Sequence, residues 1–211
     1  VTGRTQSKID LAKKLYTEEE AKKNGVTLIY VNTSEMDDVN AELRKYADKG
    51  YDDVFIFAPN QEMVSYGVKM LAYDGCLNFF SGPADKEFSA NVNFYDIHYN
   101  STHFIGTSGG NTEDMKQSIE LIENKTVNAA KIVTHVLGLD EAAKTTKELP
   151  QIGGGKKIVY THHKFPLTQV DKVDEISENK FIEGLKPILK RHGYLWSGEA
   201  ERYFMENAPK I

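Results

Sequence analysis

Short β-branched and aromatic runs alternate with stretches of helical spacing, and a glycine closes most of those stretches. Ile9, Ala12, Leu15 and Tyr16 fall on one helical face, so residues 7–23 are expected as a helix stopped by Gly25. Val26-Thr27-Leu28-Ile29-Tyr30-Val31 then reads as a strand. A helix is expected after Ser34, with Met36, Val39, Leu43, Tyr46 and Ala47 on one face and Gly50 at its end. Asp53-Val54-Phe55-Ile56-Phe57-Ala58 is the next strand, Gln61 to Tyr73 the next helix with Gly75 as its stop, and Leu77 to Ser81 a further strand. Strands joined by helices of this length can pair only in parallel, and a parallel sheet is covered on both faces. The expected fold is α/β, a doubly wound Rossmann-type sheet.

Past Gly82-Pro83 the pattern changes. Residues 87–95 read as irregular and extended, His103-Phe104-Ile105-Gly106 as a short strand, and Asn111 or Thr112 as the cap of a helix carrying Met115, Ile119, Leu121 and Ile122. Lys131 to Leu139 is expected extended, Asp140 caps a short helix, Gly153-Gly154-Gly155 is a loop, and Lys157 to Thr161 is the last strand. From Asp171 the chain reads as a helical tail, capped at Ser177 and Ser197 and divided at Gly193, with Pro187 expected to kink or shorten its first helix. Trp196 reads as an anchor for that tail. The expected division is a nucleotide domain over 1–125, a return segment over 126–170 and the tail over 171–211.

The net charge of −5 argues against a nucleic-acid partner, and no apolar run is long enough to span a bilayer. Cys76 is the single cysteine, which excludes an internal disulfide and a cysteine-cluster zinc site and fits a reducing cytoplasm. His162 and His163 are neighbours in an extended stretch, so their rings point to opposite faces; these and His98, His103 and His135 read as structural histidines.

In a doubly wound sheet the ligand lies at the carboxyl ends of the strands. The candidates are Gly3-Arg4, Ala58-Pro59-Asn60, Ser81-Gly82-Pro83 and Ile105-Gly106-Thr107. Taken with Phe104-Ile105-Gly106-Thr107-Ser108-Gly109-Gly110, Thr134-His135-Val136-Leu137-Gly138-Leu139-Asp140 and Gly154-Gly155-Lys156-Lys157-Ile158-Val159, they resemble the medium-chain, zinc-type alcohol dehydrogenase family over roughly residues 1–165. Thr161-His162, Phe165-Pro166-Leu167-Thr168 and Leu195-Trp196-Ser197-Gly198-Glu199 look like its L-sorbose-1-phosphate reductase branch.

The resemblance implies what lies outside the sequence. If Val1-Thr2 belongs to strand two, the central first strand is missing, and no G-x-G-x-x-G is present to cradle a diphosphate. The family's zinc ligands come from a preceding domain, so the expectation is a remnant of a longer enzyme, inactive alone, whose parent uses zinc and NADP(H) or NAD(H) on a sugar-phosphate or polyol substrate.

The resemblance also assigns cofactor contacts. An acidic residue at the end of strand two selects NAD by accepting from the ribose 2′-hydroxyl. Gly3 stands at that position here, followed by Arg4, with Ser7 and Lys8 nearby, which implies NADP(H) use or tolerance of it. Arg4 and Lys8 also fit plain solvated charges. Phe80 and Gly82 match residues beside the nicotinamide and Ile105 one near its ribose, although Phe80 and Ile105 equally fit core packing. Lys156 matches a diphosphate contact in some members, or a surface lysine. The family implies a homo-oligomer paired through an edge expected near residues 91–97. The competing reading is a non-catalytic dimerisation module on the same fold.

Overall fold

The computed structural model describes residues 1–177 and 180–211. They form two compact units, 1–117 and 118–211.

In the first unit, β1 (Thr2–Gly3) pairs in parallel with β2 (Val31–Asn32), Gly3 opposite Asn32. Between them lie α1 (Gln6–Leu15) and α2 (Glu18–Lys23). The single helix expected over 7–23 is therefore two. Thr17 caps α2 by accepting the Glu20 N–H, and Glu18, Glu19 and Glu20 fill a first turn where the helix dipole favours negative charge. The Tyr30 hydroxyl donates to the Ala12 and Tyr16 carbonyls at the end of α1. The strand expected over 26–31 is paired only at Val31–Asn32; next to it the Val31 N–H donates to the Val1 carbonyl and the Val1 amino group to the Ile29 carbonyl.

α3 (Val39–Arg44) is shorter than the helix expected after Ser34, and Asp38, not Ser34, caps it. Next come β3 (Tyr51–Ile56), α4 (Gln61–Lys69), β4 (Leu71–Phe79), α5 (Phe94–Tyr99) and β5 (His103–Gly106). The three strands form a parallel sheet in the order β3-β4-β5. Ile56 and Leu77 pack on Val64 and Val68 of α4. The helix expected to run to Tyr73 ends four residues earlier. The Met70 carbonyl accepts the Tyr51 N–H, Leu71 enters the sheet opposite Tyr51, and Gly75, expected as a helix stop, lies within β4.

The edge expected near 91–97 contains α5, capped by Asn93, and β5 is instead an edge strand of the sheet. α6 (Thr112–Glu123) follows as expected, started by the Asn111 side chain, which accepts the Glu113 and Asp114 N–H groups.

The second unit is built on β6 (Val133–Gly138), which pairs in parallel with β7 (Lys156–Tyr160) and antiparallel with β8 (Thr168–Gln169); α7 (Ala142–Glu148) lies between β6 and β7. α8 (Lys180–Arg191) and α9 (Gly198–Asn207) form the tail. The two tail helices and the three strands share one core, with Val133, Val136, Tyr160, Phe165, Leu185, Leu189, Trp196 and Phe204 all buried in it.

Pro187 neither ends nor shortens α8. Ile182 and Leu185 before it and Ile188 and Leu189 after it are buried on one face, and this packing holds the helix across the lost hydrogen bond. Ser197 caps α9 by accepting the Ala200 N–H. The cap expected of Ser177 would act through residues 178 and 179, which lie outside the described residues. Trp196 anchors the tail as expected: its indole N–H donates to the Tyr160 hydroxyl, which donates to Glu201. Burial and that carboxylate hold the Tyr160 phenol in its protonated form, far above the usual tyrosine range.

Candidate functional site

The site expected at the strand ends divides into two places in the first unit. The first is the carboxyl end of the β1–β2 pair. The Gly3 carbonyl accepts the Thr33 N–H at 2.9 Å, which brings the chain beyond β2 alongside the turn into α1. A Cβ at Gly3 would meet only Ile9, at ordinary contact distance, so the position has room for a side chain and does without one. Arg4, Ser7 and Lys8 are exposed, and Arg4 and Lys8 have no ion-pair partner among the described residues. The first turn of α1 contains no acidic residue.

A chain of side-chain amides lies beside Gly3, and sequence reasoning missed it. Asn32, in register with Gly3, donates from Nδ2 to Gln6 Oε1 at 2.8 Å. Gln6 donates from Nε2 to Asp10 Oδ1 at 2.8 Å. Asn32 Oδ1 accepts both the Ser34 N–H at 2.9 Å and the Ser34 hydroxyl at 2.7 Å. Gln6 and Asn32 are 26 positions apart, and only the parallel pairing of β1 with β2 makes them neighbours.

The second place is the carboxyl end of β3-β4-β5. Side chains alternate across this sheet. Val54, Ile56, Leu77 and Phe79 face the α4 core, while Phe55, Asn78 and Ile105 form a row on the other face, with Phe57 and Phe80 farther along it. Phe57 and Phe80 meet edge to face at 6.0 Å. Phe80 is 48% exposed and Ile105 51%, so neither belongs to the packed core. The Phe80 N–H donates to the Ile56 carbonyl, which ties the exit of β4 to β3. A Cβ at Gly82 would meet nothing within 4 Å.

Lys156 is exposed at the first position of β7, in the second unit. Its neighbour Lys157 folds over the glycine loop and donates to the Gly153 and Gly155 carbonyls, both at 2.8 Å. That loop therefore presents carbonyls to a cation, the reverse of a phosphate cradle.

Among the described residues, no three of His, Cys, Asp and Glu come together as a metal site would require. His163 is buried, with Nε2 at 3.2 Å from the Met205 carbonyl, and His162 is exposed; the stretch expected to be extended turns here, with the His163 N–H donating to the Tyr160 carbonyl. His135 is buried beside the Thr134 hydroxyl; burial, and then the nearby Lys157 charge, lower its pKa. His103 pairs with Asp74 at the surface. These arrangements are structural. No helix among the described residues is long and apolar enough to cross a membrane.

Comparison with known proteins agrees with this architecture. The family model described as zinc-binding dehydrogenase matches residues 1–124. L-sorbose 1-phosphate reductase of Klebsiella pneumoniae is 49% identical over 162 residues, which are 77% of this chain and 38% of that protein. Mannitol-1-phosphate 5-dehydrogenase of Aliivibrio fischeri is 41% identical over 208 residues, 98% of this chain and 49% of that one. The chain thus spans half or less of the length of these relatives.

Among solved structures, 2R,3R-butanediol dehydrogenase of Bacillus subtilis has a TM-score of 0.60 at 18% identity, over 76% of this chain and 42% of that one. A structure described as a zinc-binding dehydrogenase of Sinorhizobium meliloti bound to NADP has a TM-score of 0.58 at 17% identity, over 76% and 44%. At such identities these structures speak for the Rossmann-type fold. With more than half its residues matched by the family model, the chain belongs to the zinc-binding dehydrogenases, the zinc-type medium-chain family, close to the L-sorbose 1-phosphate reductase branch.

Proposed function

We propose that this chain is the nucleotide-binding part of a cytoplasmic NAD(P)H-dependent dehydrogenase acting on a ketose or polyol phosphate, and that it prefers NADPH. The carrying observation is the end of β1. Gly3 stands where a carboxylate would select the 2′-hydroxyl of NAD, and Arg4 and Lys8 are exposed beside it without ion-pair partners among the described residues. A guanidinium there meets a 2′-phosphate with two parallel N–H donors.

Phe80, Gly82 and Ile105 are assigned to the nicotinamide side. An exposed aromatic, an open glycine and an exposed aliphatic at one sheet end suit a flat ring, and the cofactor itself supplies the hydride. The phosphorylated substrate is taken from the two curated relatives, whose names both specify a C6 sugar or polyol 1-phosphate. The described residues do not fit a zinc site. Zinc and the reacting oxygen are accordingly assigned to the part of the relatives that this chain does not match, and the chain alone is expected to turn over no substrate.

The test is Gly3→Asp in the enzyme that carries this chain. A carboxylate at that position repels a 2′-phosphate and accepts from a 2′-hydroxyl. The ratio of kcat/KM for NADPH to that for NADH should fall by roughly 10- to 100-fold, the scale of a hydrogen bond to a charged group. An unchanged ratio overturns the preference.

A homodimer is a second reading, favoured by β5. All four of its residues are exposed at the sheet edge, and Phe94, Tyr95 and Tyr99 of the preceding helix are exposed too. Sedimentation velocity over a concentration series should show the dimer mass; a monomer throughout rules this out.

A further inference from the structure

The amide chain beside Gly3 carries an inference that rests on the cofactor reading above and extends it. A carboxamide has two N–H donors and one carbonyl acceptor. In this chain the acceptors are used internally: Asn32 Oδ1 takes two hydrogen bonds from Ser34, and Gln6 Oε1 takes one from Asn32. Each amide spends one N–H within the chain, Asn32 on Gln6 and Gln6 on Asp10. One N–H on each side chain is left over, so the pair has two donors to offer outward.

These two donors lie at the strand end where Gly3 leaves a gap and Arg4 supplies a cation. The side-chain relay joins the start of α1 to the end of β2, beside the backbone bond from the Thr33 N–H to the Gly3 carbonyl. Asp10 and Ser34 orient the amides; had either amide been reversed, a carbonyl would face the incoming group and repel an anion.

We propose that Gln6 and Asn32 are specificity-determining residues: a side-chain relay, Asp10–Gln6–Asn32–Ser34, that holds two amide N–H donors for the 2′-phosphate of the adenosine ribose. Arg4 provides the charge and the relay provides its placement.

The experiment is a calorimetric titration of the protein with adenosine 2′-monophosphate and, separately, with adenosine 5′-monophosphate. Asn32→Asp keeps the shape and the acceptor for Ser34 but removes both donors and adds a negative charge. Gln6→Ala breaks the relay without adding charge. Asn32→Asp should weaken the 2′-monophosphate by about tenfold or more, and Gln6→Ala by several-fold, the scale of one hydrogen bond to a charged group. Neither should change the affinity for the 5′-monophosphate. Thermal melts of each variant accompany the titrations, since a fold defect would weaken both nucleotides together.

Equal weakening of both nucleotides, or no weakening of either, overturns the relay. Gly3→Asp in the same titration separates the two claims. If it abolishes the preference for the 2′-monophosphate while Asn32→Asp and Gln6→Ala do not alter it, the cofactor reading stands and the relay falls. If Gly3→Asp leaves that preference unchanged, or the unsubstituted protein shows none, both fall.

Discussion

Replacing Phe204 with alanine should destabilise the second unit by about 3–5 kcal/mol, the usual cost of removing a fully enclosed aromatic ring. Phe204 has no exposed surface. Its ring stacks on Tyr160 at 4.3 Å and meets Phe165 at 5.1 Å, Phe181 at 5.5 Å, His163 at 5.6 Å and Trp196 at 6.1 Å. These partners come from β7, the segment between β7 and β8, α8 and the turn before α9, so the loss would be felt across much of that core. The cavity left behind has no flexible neighbour to collapse into it, because Tyr160 is held by Trp196 and Glu201. Urea unfolding followed by Trp196 fluorescence measures the change. A loss below 1 kcal/mol would mean that the tail is not part of the shared core.

The second large effect is expected at Gly138, the last residue of β6. Its φ of −85° suits any residue, so the glycine is not there for backbone freedom. Its reason is close approach. The Gly138 N–H donates to the Phe165 carbonyl at 2.8 Å, and the Leu139 N–H to the His163 carbonyl at 3.0 Å. A Cβ would overlap the His163 carbonyl oxygen and the Phe165 nitrogen, and would come within 2.6 Å of Asp140 Oδ1, which accepts the Phe165 N–H. Two of these contacts are backbone and cannot rotate away. Gly138→Ala should therefore cost about 3 kcal/mol, the upper part of the overpacking range. Gly153→Ala is the control, since a Cβ there meets nothing within 4 Å. Equal midpoints for the two variants would refute the argument.

These two positions also show which parts of the molecule the sequence makes legible. The apolar runs at Val54-Phe55-Ile56 and Leu77-Asn78-Phe79 announce parallel strands, although Phe55 proves exposed, and the turns after them, Ala58-Pro59-Asn60 and Ser81-Gly82-Pro83, announce where a ligand would lie. Local patterns could not show where helix gives way to strand. Leu71 and Tyr73 have helical spacing from α4 yet join β4, because pairing of Leu71 with Tyr51 outweighs local preference. Pro187 reads as a kink or an early end, yet α8 is not shortened, because four buried side chains hold it on both sides of the proline.

The candidate site divides in the same way. Gly3, Arg4 and Lys8 could be named from the sequence, since they sit within one strand-to-helix turn. Gln6 and Asn32 could not be paired, because neither residue type signals the other across 26 positions. The sequence by itself determined the family, the alternating strand and helix character and the charge at the cofactor-selecting turn, all of which depend on neighbours in the chain. Only the tertiary structure decided that the tail shares a core with the return strands, that β5 is an edge strand and that Asn32 faces Gln6. Those facts depend on contacts between distant residues, which local spacing does not encode.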